Sequence, residues 1–145
     1  MIRQDVLDRH LQDMEDMVTE LRRHQHKPVE ELRAERMVLL AIERALERAI
    51  QNLLDIGMHI LSGAGINDWD DYRGVILKLG AEGIIPPEFA RRIEGMAGVR
   101  NILVHSYIEV DIGKIREILQ NQLDDFSTFA GYIVEYLKKG GKPGT

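Results

Sequence analysis

The chain has 145 residues and a mass of 16.6 kDa, with 44% hydrophobic residues, 30% charged residues and no cysteine. A disulfide scaffold, a cysteine zinc site and a thiol nucleophile are excluded, and the length suits one domain with a proper core. Lys and Arg number 19 against 24 Asp and Glu, a net charge of −5 that speaks against a generic polybasic nucleic-acid binder but leaves room for a local group of cations.

No apolar run reaches the roughly 18–20 residues that span a bilayer, and the N-terminal stretch lacks an apolar signal core, so the expected location is cytoplasmic. Helical periodicity dominates and alternating β-branched runs are scarce, which predicts an all-α fold. A first helix runs from about Arg3 to His24, with Val6, Leu7, Leu11, Met14, Met17, Val18 and Leu21 at three- and four-residue spacing. Pro28 separates it from the longest helix, about Val29 to Leu61. There Leu39, Ile42, Leu46, Ala49, Leu53, Gly57 and Ile60 form a stripe with apolar flanks, wide enough to meet several neighbours or neighbours plus a second subunit.

The glycines after Ser62 stop that helix, and Asn67 or Asp68 is placed to cap a short one ending near Leu79. Pro86-Pro87 opens a fourth helix that reaches Tyr107. Asp111 starts a fifth that carries Ile115, Ile118, Leu119, Leu123, Phe126, Phe129 and Ile133 to about Lys139. The expected architecture is an antiparallel up-and-down helical bundle of four long helices plus one short helix, a single domain over 1–139 with a flexible tail at 140–145.

The fourth helix breaks its own pattern. With Phe89 as origin and about 100° per residue, Ile93, Met96, Leu103, Val104 and Tyr107 share one apolar face, and Arg100 falls about 20° from its centre. A guanidinium there needs a carboxylate, a set of carbonyls, a phosphate ligand or a solvated groove, because burying it unpartnered costs several kcal/mol. Glu43 and Glu47 of the long helix are candidate mates for a purely structural pair.

Asn101 and His105, four residues apart, stack at about 120° and 160°, so that a hydrogen bond between them would fix the imidazole. Arg100 and His105 stand about 140° apart on an ideal helix and do not converge within it. Gly95 and Gly98 weaken the helix, for which close approach of another backbone is the ordinary reason. Elsewhere, His24 and His26 read as solvent-facing rather than metal ligands, and Asp70-Asp71 and Asp124-Asp125 as helix starts or exposed turns.

The segment Arg100-Asn-Ile-Leu-Val-His105-Ser-Tyr107 has the form R-N-x-x-x-H-x-Y and resembles the signature of the HepT-like toxins of the HEPN superfamily. The stretch from Ala45 to His59, the segment from Tyr72 to Ile85 and the Met96-Ala-Gly-Val-Arg approach resemble that family in the same order. The resemblance implies an HEPN-like fold and a homodimeric ribonuclease toxin that needs no metal or other cofactor. It also implies a nucleotidyltransferase antitoxin as partner. Mapped onto this chain, it assigns RNA cleavage to Arg100, Asn101 and His105 at a composite dimer cleft, and adenylylation by the antitoxin to Tyr107.

The chemistry is coherent with those assignments. Cleavage without a metal uses the RNA 2′-hydroxyl as nucleophile, histidine moves protons near neutral pH, and arginine holds the charged phosphorane. Arg91 and Arg92 are expected to join Arg100 in a local positive cleft that offsets the acidic net charge. Two other readings fit the same residues. One is a non-enzymatic helical module binding a nucleotide or partner protein; the other is a dimeric scaffold whose Arg100 pairs with an acid of the long helix.

Overall fold

The computed structural model describes residues 2–105 and 110–140. Among these there are eight helices and no strand: α1 (Gln4–Arg22), α2 (Val29–Ala34), α3 (Arg36–Gly63), α4 (Tyr72–Ala81), α5 (Pro87–Ile93), α6 (Met96–Val104), α7 (Ile112–Asn121) and α8 (Leu123–Lys138). The all-α expectation holds, but the helix count does not. Three long helices, α1, α3 and α8, are joined by five shorter ones in place of four long and one short.

Each unforeseen break has a local cause. Glu35 leaves the helical region (φ −106°, ψ 72°) and its carboxylate accepts from Lys27 Nζ at 3.0 Å, so the expected second helix is split into α2 and α3. At Glu94-Gly95 both residues keep right-handed helical dihedrals, and α6 follows α5 through a tightened turn rather than a redirecting loop.

At Gln122 (φ −122°, ψ −1°) the expected fifth helix divides into α7 and α8. Arg92 of α5 holds both sides of this break, donating from Nε to Asp125 at 2.8 Å and from Nη2 to the Asn121 carbonyl at 3.4 Å. Asp125 lies at a helix start, one of the two expected placements, but is buried and paired rather than exposed. The guanidinium supplies the partner a buried carboxylate requires, and its bond to the Asn121 carbonyl anchors it to the end of α7.

One core joins the elements. Leu7, Met14, Val18 and Leu21 of α1 meet Ile42, Leu46, Ala49 and Leu53 of α3, while Phe126, Phe129 and Ile133 enter from α8. The wide apolar face of α3 serves several neighbours within the chain, α1, α4, α6 and α8, and leaves Met37 and Leu40 near its N-terminal end exposed. A polar chain fixes α1 on α3: His10 Nδ1 donates to Asn52 Oδ1 at 2.9 Å, and Asn52 Nδ2 and Arg48 both donate to Asp13. The buried Asn52 amide is thereby satisfied on both its oxygen and its nitrogen.

Two glycines set the position of the α4–α6 layer. A Cβ on Gly57 would lie 2.9 Å from Leu79 Cδ1 and 3.1 Å from Val75 Cγ1, and one on Gly80 would lie 2.7 Å from Ala90 Cβ. Helix α4 thus rests directly on α3, and α5 on α4. The cap of α4 is Asp71, whose carboxylate accepts from the Gly74 amide at 2.7 Å, and not Asn67 or Asp68. Asp68 instead accepts from Lys78 at 2.9 Å. Asp111 caps α7 as expected, and Pro87 occupies the first turn of α5. No helix among the described residues is long and apolar enough to cross a membrane.

Candidate functional site

Arg100 lies on the core side of α6, half-buried, with Met96, Ala97 and Leu103 buried around it. Its partners are neutral. Nε donates to Gln51 Oε1 of α3 at 2.8 Å, Nη1 donates to Asn101 Oδ1 at 3.1 Å, and the guanidinium carbon stands 4.7 Å from the centre of the Tyr72 ring. Gln51 is steadied in turn by donating from Nε2 to Asp55 at 2.9 Å.

Neither expected carboxylate mate is present. Glu47 accepts from Arg44 at 2.6 Å, and Glu43, whose carboxyl burial pushes above its ordinary range, is opposed by Arg36. Among the described residues no ion pair joins Arg100 to an acid. Two amides and an aromatic face replace part of the water around the guanidinium without cancelling its charge, and the rest of its five N–H donors stay available. The arrangement suits the binding of an anion.

The link between Asn101 and His105 differs from the expected one. The Asn101 side-chain oxygen is used by Arg100, and the two residues meet through the main chain, the His105 amide donating to the Asn101 carbonyl at 3.3 Å. His105 terminates α6 with a non-helical ψ of 68° and its side chain is exposed. The structure therefore brings Arg100 and Asn101 together and sets His105 one turn further on, at the helix end. Tyr107 lies outside the described residues.

Among the described residues Gly95 and Gly98 have no close neighbour: a Cβ on either meets nothing within 4 Å, contrary to the expected close packing. The same face of α6 carries exposed Ile102. Arg91 and Arg92 do not join Arg100. Arg92 is tied to Asp125, and Arg91 shares with Lys114 and Val99 a separate cleft of about 330 Å³ that Arg100 does not line. Beside Arg100, Trp69, Asp70, Asp71, Tyr72 and Asn101 line an open cleft of about 400 Å³.

Gln51, Tyr72 and Trp69 are absent from the sequence-based site. The available signal was the polar pair Gln51-Asn52 inside the apolar run from Ala49 to Ile56. His24 also differs from expectation. It is half-buried with Nδ1 fully buried, and burial, reinforced by Lys27, lowers its pKa below the ordinary value.

The profile of the family described as ribonuclease HepT-like matches residues 7–133. The chain belongs to that family. Over 102 residues this HepT-like chain is 30% identical to the tRNA nuclease HepT of Aphanizomenon flos-aquae (strain 2012/KM1/D3), an alignment covering 68% of this chain and 67% of that protein. Over 88 residues it is 27% identical to the mRNA nuclease HepT of Shewanella oneidensis, covering 61% and 66% of the two chains.

Its fold matches that of a tri-AMPylated HEPN toxin of Shewanella oneidensis solved in complex with an MNT antitoxin, with a TM-score of 0.81, 19% identity, and 92% and 99% of the two chains covered. It also matches YutE, a cytosolic protein of unknown function from Bacillus subtilis, with a TM-score of 0.83, 17% identity, and 99% and 96% covered. The HEPN-like fold implied by the motif is thus the fold of the HepT-like chain.

Proposed function

We propose that this HepT-like chain is an RNA-cleaving toxin that works without a metal ion through Arg100, Asn101 and His105 at a cleft between two copies. A nucleotidyltransferase antitoxin silences it by adenylylating Tyr107. The observation that carries the reading is the guanidinium of Arg100, aimed by Gln51, Asn101 and Tyr72 yet left with its charge uncompensated among the described residues. A structural arginine would be neutralised by an acid.

In this reading Arg100 holds the scissile phosphate and the charge that develops on the phosphorane. His105 exchanges protons with the 2′-hydroxyl nucleophile or the departing 5′-oxygen. Asn101 keeps the guanidinium directed. A second copy brings its own His105 to this Arg100, which removes the angular mismatch within one helix.

Support for that second copy comes from the outer face of α6, where Gly95 and Gly98 meet no neighbour among the described residues and Ile102 is 47% exposed. The family's nucleases and the AMPylated toxin with its MNT partner support the substrate class and the antitoxin. Tyr107 follows Arg100 by seven residues in sequence, and an adenylate there would add a bulky anion to the segment that follows the proposed site.

The test is cleavage of a mixed RNA pool by purified protein in EDTA. Wild type should cut and His105→Ala should not, with unchanged melting. A folded wild type that leaves RNA intact would point instead to a non-enzymatic binding module. Intact-mass analysis after incubation with ATP and the cognate transferase should show added adenylate that Tyr107→Phe abolishes.

A further inference from the structure

We infer that the cleft beside Arg100 is a nucleobase subsite that selects bases carrying an exocyclic amino group, with cytosine preferred over uracil. Its choice of ligand rests on the ribonuclease reading above. The cleft lies next to the site through a shared residue: the Asn101 Oδ1 accepts from Arg100, and Asn101 also lines the cleft. A volume of about 400 Å³ is ample for one base.

Its walls divide the work. The Tyr72 ring is already covered by the Arg100 guanidinium, so the half-buried Trp69 indole provides the stacking surface. Stacking on an indole is available to every base and sets no preference by itself. The two carboxylates do. Asp71 is partly committed to capping α4, whereas Asp70 is exposed and makes no hydrogen bond or ion pair among the described residues.

An ionised carboxylate only accepts hydrogen bonds. It repels phosphate, so the RNA backbone stays with Arg100 and the neutral base is the part that enters. Cytosine presents its N4 amino donors to such a carboxylate, as do adenine and guanine through their amino groups. Uracil presents O4 at the same place, opposing acceptor to acceptor.

The chain has one tryptophan, so its fluorescence reports directly on this cleft. Hexadeoxycytidylate and hexadeoxyuridylate lack the 2′-hydroxyl, survive the titration and differ by little more than amino against carbonyl. Hexadeoxycytidylate should quench Trp69 with an affinity about tenfold higher, the discrimination expected from one good base contact. Asp70→Asn, at an exposed position that caps nothing, should melt like wild type. An amide can both donate and accept, so it should bring the two affinities within about twofold.

Equal affinities in wild type, or an intact preference in Asp70→Asn, would overturn the subsite. Binding seen by anisotropy of a labelled hexamer without quenching would overturn it as well. Cleavage of RNA is followed in parallel with His105→Ala as control. Cleavage without base discrimination removes the subsite alone, and base discrimination without cleavage removes the ribonuclease reading alone.

Discussion

Gln51 takes no part in the proposed chemistry, yet Gln51→Met should lower RNA cleavage about tenfold while the protein stays folded. The substitution keeps the side chain's length and volume and deletes the acceptor that holds Arg100 Nε at 2.8 Å. A hydrogen bond to a charged group contributes about 1.5–3 kcal/mol. If Gln51 alone aimed the guanidinium, that range would translate to roughly ten- to 150-fold in kcat/KM.

Asn101 at 3.1 Å and the Tyr72 ring at 4.7 Å still restrain the same group, which places the expected loss at the lower end. The bond from Gln51 to Asp55 is a local helix contact whose loss costs only a few tenths of a kcal/mol. The Arg100 bond is lost as well, and with the half-buried guanidinium regaining some water the melting temperature should fall by about 2–6 °C. The assay is kcat/KM on a defined RNA alongside thermal melting. Full activity in Gln51→Met, with Arg100→Ala inactive, would show that the arginine is directed without help from α3.

Arg100→Ala should cost no more than the hydrogen bond to Gln51, about 1.5–3 kcal/mol, because no buried carboxylate is left behind; a fall above about 3–5 kcal/mol in a urea titration would mean a hidden ion pair. Gly80→Ala places a Cβ 2.7 Å from Ala90 Cβ and 3.3 Å from Pro87 Cα, and should destabilise by about 1–3 kcal/mol in the same titration. Gly98→Ala has open space within the chain and should raise the stability of an isolated copy by about 0.5–1 kcal/mol. Its cleavage should nonetheless fall, as a second copy needs that face.

The pH dependence of stability has a definite sign at His24. Burial holds its folded-state pKa below the ordinary 6.5, so the unfolded chain binds the proton more readily. Its contribution is complete above pH 6.5 and is lost as the pH falls from there toward the lowered folded-state value. His24→Asn should flatten the fall in urea midpoint below pH 6.5, and an unchanged slope would assign that fall to other groups.

The fold's elements were legible where periodicity and punctuation agree. Pro87 opening α5, Asp111 capping α7 and the stripes of α1, α7 and α8 all follow from spacing. The breaks at Glu35 and Gln122 were not legible, because neither position carries a glycine or proline and the contacts there are made by side chains from other segments. Lys27 reaches Glu35, and Arg92 reaches Asn121 and Asp125.

The anomaly of Arg100 on an apolar face was visible from spacing, but its partners were not. Gln51 and Tyr72 lie on other helices, and only the close packing allowed by Gly57 and Gly80 brings α4 and α6 to the level of Gln51. Arg91 and Arg92 misled for the opposite reason. Nearness in sequence to Arg100 implied a shared cleft, whereas Arg92 is turned to α8 and Arg91 to the cleft that Lys114 lines.

Mixing two inactive variants tests the composite site most directly. Arg100→Ala and His105→Ala, co-refolded and assayed on RNA in EDTA, should recover about a quarter of wild-type cleavage, since half the dimers are mixed and each mixed dimer has one intact Arg–His pair in a two-fold arrangement. A mixture as inactive as its components, under conditions where exchange of subunits is demonstrated, would contradict a site shared between copies.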